Sequence, residues 1–189
     1  MSNTSVKWDL FVRVFHWTLV LSFAMAWFTG EFSVDDLHSW FGYLITLLIV
    51  GRFIWGFVGS MNARFKSFIY SPNETVAYLK SIVQNNPKHY ASHNPAGAVM
   101  VFALLVVLAV MVGSGFIFEA WGEYEGPLWS MQVAISDACG HLARSLHKFL
   151  PEVLLAMVGL HLLGVLVATI QHKENFVMSM INGQENKRN

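Results

Sequence analysis

Cysteine is nearly missing from this 189-residue chain: Cys139 stands alone, so no disulfide framework holds the fold. Charge is scarce as well, with Asp, Glu, Lys and Arg at 13% of residues, where a globular domain carries about 25%. Neither sign is in excess, because Lys plus Arg and Asp plus Glu each number 12. The basic surplus of a nucleic-acid binder is therefore absent, and no nucleic-acid partner is expected. No internal repeat or low-complexity tract occurs. What fills the chain instead is apolar: 54% of residues are hydrophobic and 14% aromatic. That composition excludes disorder. It also leaves a soluble domain too few polar residues for its surface. The chain reads as a small integral membrane protein in contact with the lipid bilayer, forming a single domain over residues 1–189.

A membrane-crossing helix needs about 20 mostly apolar residues. Four stretches qualify, at about 10–30, 38–58, 94–118 and 147–172. The first is uncharged from Val14 to Gly30, and the second is interrupted only by Arg52. The third carries no Asp, Glu, Lys or Arg between His89 and Phe118. In the fourth the apolar run proper begins near Val153 and ends at His172. Ala24-Met25-Ala26 resembles a signal-peptide cleavage site, but the apolar run continues through Trp27 and Phe28, which favours a retained span. The expected fold is all-α, an integral membrane four-helix bundle. Lys and Arg gather on the cytoplasmic side of a membrane protein. With both termini cytoplasmic, ten of the twelve fall inside, and only Arg144 and Lys148 fall outside. Between the second and third spans, Ser71-Pro72-Asn73-Glu74 opens an expected interfacial helix through Val83, with Val76, Leu79, Ile82 and Val83 as its apolar side. Trp121, Trp129 and Met131 lie in the outer connection, placed to dip into the interface or meet a partner.

Ionisable groups in or beside spans are costly and default to function. His147 and His161 are fourteen residues apart. At roughly 100° per residue they project from nearly one helix face, about 21 Å apart along the axis. That suits two tiers rather than one shared metal ion. Antiparallel packing brings His16 level with His161 on the inner side, and His38 level with His147 on the outer side. A planar iron porphyrin fits between such facing imidazoles, and filled axial positions suit electron transfer. Zinc fits neither pair, since no Cys or carboxylate lies near. A lone membrane histidine more often makes an interhelical hydrogen bond; the joint spacing argues for ligation. His147 precedes Pro151, so it reaches its tier only if the fourth helix starts near Cys139 or His141; otherwise His141 substitutes. Arg13 and Arg52 either hold porphyrin propionates or a quinone carbonyl, or anchor their spans at the headgroups. Gly42 and Gly159 either admit a flat macrocycle or serve helix packing. His93, Glu74 and His172 are candidate proton relays near the inner face. No catalytic side chain is expected.

Several of these residues carry a family likeness. Arg13-Val14-Phe15-His16-Trp17, His38-Ser39-Trp40-Phe41-Gly42-Tyr43 and Gly51-Arg52-Phe53-Ile54-Trp55-Gly56-Phe57-Val58-Gly59 resemble the bacterial cytochrome b561 family and the b-type cytochrome subunits of nickel-iron hydrogenases. Ala63-Arg64-Phe65, His93-Asn94-Pro95-Ala96-Gly97-Ala98 and the His147/His161 pair extend the likeness from about Trp8 to Met180. The resemblance implies a four-helix membrane core with two b haems on His16, His38, His147 and His161. It implies electron transfer between a periplasmic redox partner and the quinone pool of the bacterial inner membrane. A c-type cytochrome or a hydrogenase is the expected partner class. A superoxide oxidase delivering electrons to quinone is the alternative, weakened by an acidic outer side that steers anions poorly. A haem-free membrane anchor is a third reading.

Overall fold

The computed structural model describes residues 7–90 and 93–186. They are 78% helical, without strands. Six α-helices are described: α1 (Leu10–Glu31), α2 (Asp35–Val58), α3 (Pro72–Val83), α4 (Pro95–Phe118), α5 (Asp137–His172) and α6 (Phe176–Asn182). A π-helical turn, Glu119–Glu123, prolongs α4. Helices α1, α2, α4 with its extension, and α5 are long and apolar enough to cross a membrane. Each leaves large hydrophobic side chains uncovered, among them Leu21, Leu47, Val106 and Leu166. Water would penalise such a surface by roughly 25 cal/mol per Å² of apolar area; lipid does not.

Two helix starts differ from the hydropathy reading. α2 begins at Asp35, so His38 lies inside its first turn. α5 begins at Asp137, ten residues ahead of the expected 147, and runs through Pro151. The charged turns Asp137–Phe149 depress local hydropathy but form helix readily. With 36 residues, α5 is about 54 Å long, more than the ~30 Å of a bilayer core. The helix is therefore too long to lie wholly within a hydrocarbon layer at an ordinary tilt.

The chain divides into two compact units. One comprises the described residues of Met1–Val20, Val50–Phe102 and Val158–Asn189. Its core joins Trp8, Val12 and Ala63, with Trp55 and Met180 packed on them. Asp9 organises this region. Its Oδ1 accepts from the Val12 N–H at 2.8 Å, capping α1, and its Oδ2 accepts from Trp55 Nε1 and Ser60 Oγ. Gly56 lets the Phe65 ring approach α2, since a Cβ there would lie 2.2 Å from Phe65 Cε2. The buried Lys7 ammonium meets the Glu174 carboxylate at 2.5 Å. α3 starts with a capping box: the Glu74 N–H donates to Ser71 Oγ, and the Glu74 carboxylate accepts from the Ser71 N–H. Its buried residue is Tyr78, while Val76, Leu79 and Val83 are exposed on the face expected to meet the interface.

The other unit comprises Leu21–Ile49 and Ala103–Met157. Tyr43 donates to the Glu119 carboxylate at 2.7 Å, tying α2 to the π-turn. Trp121 donates to Asp137 Oδ1 at 3.1 Å and lies over Gly140, where a Cβ would come within 2.1 Å of the indole. Trp129 and Met131 are exposed.

Candidate haem sites

The second unit brings His38 of α2 and His147 of α5 face to face. Their Nε2 atoms are 3.5 Å apart, with ring planes at 89°. Each ring is fixed from behind. His38 Nδ1 donates to the Ala26 carbonyl at 2.8 Å, and His147 Nδ1 to the Met111 carbonyl at 2.9 Å. A backbone acceptor on Nδ1 sets the tautomer that leaves Nε2 as the free, basic nitrogen. Two such nitrogens on opposite sides of one ion at about 2 Å each would stand about 4 Å apart. The observed separation is within half an ångström of that figure. The early start of α5 gives His147 this position. His141 is elsewhere: it is exposed and packs against Trp121, with centroids 4.8 Å apart.

Two glycines absent from the sequence reading sit against these rings. A Cβ on Gly30 would lie 2.9 Å from His38 Nδ1, and one on Gly115 would lie 2.8 Å from His147 Cε1. Both contacts are tighter than a real side chain tolerates. Lone glycines in apolar runs gave no sequence signal that they back a histidine. Gly42, one turn beyond His38, faces space with nothing within 4 Å of its would-be Cβ, and Gly113 of α4 does the same. Imidazoles held at ligand spacing beside uncovered backbone fit a planar metal macrocycle.

The first unit gathers His16 of α1 and His161 of α5 within electrostatic reach of each other. Around them several buried nitrogens lack a hydrogen-bond partner among the described residues: His16 Nδ1, Arg13 Nε, Arg52 Nη1 and His93 Nδ1. Buried polar groups are nearly always satisfied, so this concentration points to a polar group that completes the site. Arg52 is only 3% exposed. Its Nη2 donates to the Ala63 carbonyl at 3.1 Å and its guanidinium lies over the Phe65 ring. Arg13 Nη1 donates to the Ile181 carbonyl at 2.6 Å and so closes the C-terminal end of α6. Gly159 is exposed, with no neighbour within 4 Å of its would-be Cβ.

Among the proposed relays, Glu74 is committed to its capping box. His172 Nε2 meets the Tyr78 hydroxyl at 3.4 Å. His93 is wedged between the rings of Trp8 and Phe68. Burial first, then the cationic charge of nearby Arg52 and Lys7, push its imidazole down to about 3. It is neutral at ordinary pH.

Uncovered apolar helices and back-anchored facing imidazoles mark the class: a membrane protein suited to holding iron porphyrin. The family model for prokaryotic cytochrome b561 matches residues 7–183, and the chain belongs to that family. Curated relatives carry the name probable Ni/Fe-hydrogenase B-type cytochrome subunit. The Azotobacter vinelandii protein is 28% identical over 140 residues, covering 59% of this chain and 58% of the relative. The Azotobacter chroococcum mcd 1 protein is 27% identical over 144 residues, covering 61% and 59%. The Rhodobacter capsulatus protein is 22% identical over 208 residues, covering 91% and 78%. The chain thus spans somewhat under two thirds of the length of the two Azotobacter proteins. No solved structure matches it. Membership implies haem b as the cofactor and a multi-pass place in a bacterial membrane.

Proposed function

We propose that this chain is a single di-haem unit over residues 1–189, carrying electrons between a periplasmic redox protein and the membrane quinone pool. His38 and His147 would hold one haem b, and His16 and His161 the other. The observation that carries the reading is the His38/His147 pair, held at 3.5 Å with both Nδ1 atoms engaged by backbone carbonyls. Haem held by these histidines would supply reversible one-electron chemistry, which suits electron transfer.

The protein groups orient the rings, exclude water and place charge. Arg52, with Nη1 free to donate, and neutral His93 are the donors for a haem propionate or a quinone carbonyl. Arg13 offers its Nε there as well, while its Nη1 serves the Ile181 carbonyl at the end of α6. Gly42 and Gly159 leave backbone open for a macrocycle.

The ten-to-two distribution of Lys and Arg supports placing both termini in the cytoplasm, and the family likeness supports an inner-membrane place. The outer side then carries Glu31, Asp35, Asp36, Glu119, Glu123, Glu125, Asp137 and Glu152. A surface of that sign recruits a basic partner, such as a c-type cytochrome or the basic face of a hydrogenase. A cleft of about 480 Å³ there is lined by Glu123 and Asp137 as well as Arg144. It is no cationic funnel for superoxide.

The test is reconstitution of the purified protein in lipid vesicles containing quinol. Rapid reduction of its absorption bands by quinol, and reoxidation by an externally added basic c-type cytochrome, is the expected result. Bands that neither quinol nor quinone changes would overturn the proposed quinone link.

A further inference from the structure

Away from the histidine pairs, three chemically competent side chains converge in the first unit. His89 comes from the connection between α3 and α4, Glu174 from the turn between α5 and α6, and Glu185 from the segment after α6. His89 Nε2 is 3.9 Å from Glu174 Oε2 and 3.7 Å from Glu185 Oε1. One ligand atom from each lies within 4.8 Å of the others. The C-terminal segment is held in place there. Asn175 N–H donates to the Asn186 carbonyl at 2.8 Å, and Asn186 Nδ2 donates to Ser179 Oγ at 3.2 Å.

Glu174 makes the cluster more than an accident of surface charge. Its side chain is 1% exposed. Oε1 accepts from Lys7 Nζ at 2.5 Å and from Ser179 Oγ at 3.2 Å. Oε2 is buried, accepts no hydrogen bond from the described residues and is aimed at His89. A buried carboxylate oxygen without a donor is expensive, and its natural complement is a cation.

The geometry points to a binding site for one divalent transition-metal ion of the zinc class, ligated by His89 Nε2, Glu174 Oε2 and a Glu185 carboxylate oxygen. Tetrahedral ligands at 2.0–2.2 Å stand about 3.4 Å apart. The two measured pairs exceed that by only a few tenths of an ångström. An imidazole with two carboxylates suits zinc better than magnesium or calcium, which prefer oxygen alone. Three protein ligands leave a fourth position for water. Lys7 remains on Oε1, so the Glu174 carboxylate bridges ammonium and metal. The ion would staple the loop bearing His89 to the segment following α6.

The experiment is zinc binding by the purified full chain after chelator treatment. Bound metal is measured by mass spectrometry after dialysis at fixed micromolar free zinc, with the haem spectrum as a check on folding. One zinc per chain is expected, together with a rise in Tm on adding zinc. Both effects should fall at least tenfold in His89→Ala and in Glu185→Gln at unchanged haem content. Glu174→Gln also strips Lys7 of its partner and can unfold the chain, so the first two variants carry the decision. Zinc retention unchanged in either of them, or no zinc retained by the parent chain, overturns the site.

Discussion

Each imidazole of the His38/His147 pair is held by a carbonyl behind it and a glycine beside it. Those glycines make the arrangement testable atom by atom. Gly115→Ala and Gly30→Ala push a methyl against the ring, an overpacking cost of about 1–3 kcal/mol. Each should lower haem content at this pair, read from absorption of the purified protein; unchanged haem would show that the rings have slack. Gly42→Leu separates two readings of open space. If a macrocycle lies beside Gly42, leucine there displaces it and haem content drops. If that face meets lipid, leucine is neutral. Asp9 is a different case, a residue of stability. Burial raises its carboxyl, but hydrogen bonds from Ser60, Trp55 and Val12 and the charge of Arg52 outweigh that and hold it below the usual 3.8. A lowered folded value means the stabilisation is full above about pH 3.8 and is lost as pH falls through the folded value. Asp9→Ala should therefore cost about 1–3 kcal/mol at neutral pH. The gap from the parent chain in thermal melts should narrow below pH 4. An equal gap at both pH values would count against this assignment.

Among the elements, α3 shows how far a short motif carries. Ser71-Pro72-Asn73-Glu74 announces a helix start, and the capping box forms there. The four apolar runs were equally legible, because about 20 uncharged residues leave few alternatives. The start of α5 was not: Asp137–Phe149 mixes charge with apolar residues, and hydropathy discounts it although helix is its best backbone solution. His147 was therefore legible as a candidate whose placement hung on a helix start near Cys139 or His141, which the structure supplies at Asp137. The fourteen-residue spacing named residues that share a face, whereas the carbonyls of Ala26 and Met111 and the glycines at 30 and 115 emerge only from packing across helices. The Lys7–Glu174 pair is likewise separated by 167 positions, beyond any local pattern. It fastens the segment before α1 to the one before α6. Lys7→Ala leaves a buried carboxylate without its cation, at a cost of about 3–5 kcal/mol. Replacing both, as Lys7→Met with Glu174→Leu, should recover most of that loss in Tm. A double variant as unstable as the single one would contradict this.

For the whole molecule, uncovered apolar side chains on four long helices leave the bilayer as their only adequate solvent. The single cysteine supplies a native reporter of sidedness. Cys139 is exposed near the start of α5. With both termini cytoplasmic it faces the periplasm, so a membrane-impermeant maleimide should label it in spheroplasts without lysis. Labelling only after lysis would invert the proposed orientation. Such an inversion would also move the acidic side, and with it the docking place proposed for a basic partner, into the cytoplasm.

The central claim is that histidines are matched in pairs, each pair holding one iron porphyrin. The most direct measurement is haem per chain, by reduced-haem absorption, in the parent protein and in His16→Ala, His38→Ala, His147→Ala and His161→Ala. The account predicts about two haems in the parent and about one in each variant. His38 and His147 should remove one spectral component, and His16 and His161 the other. A single haem in the parent, or losses that group the histidines any other way, would contradict it.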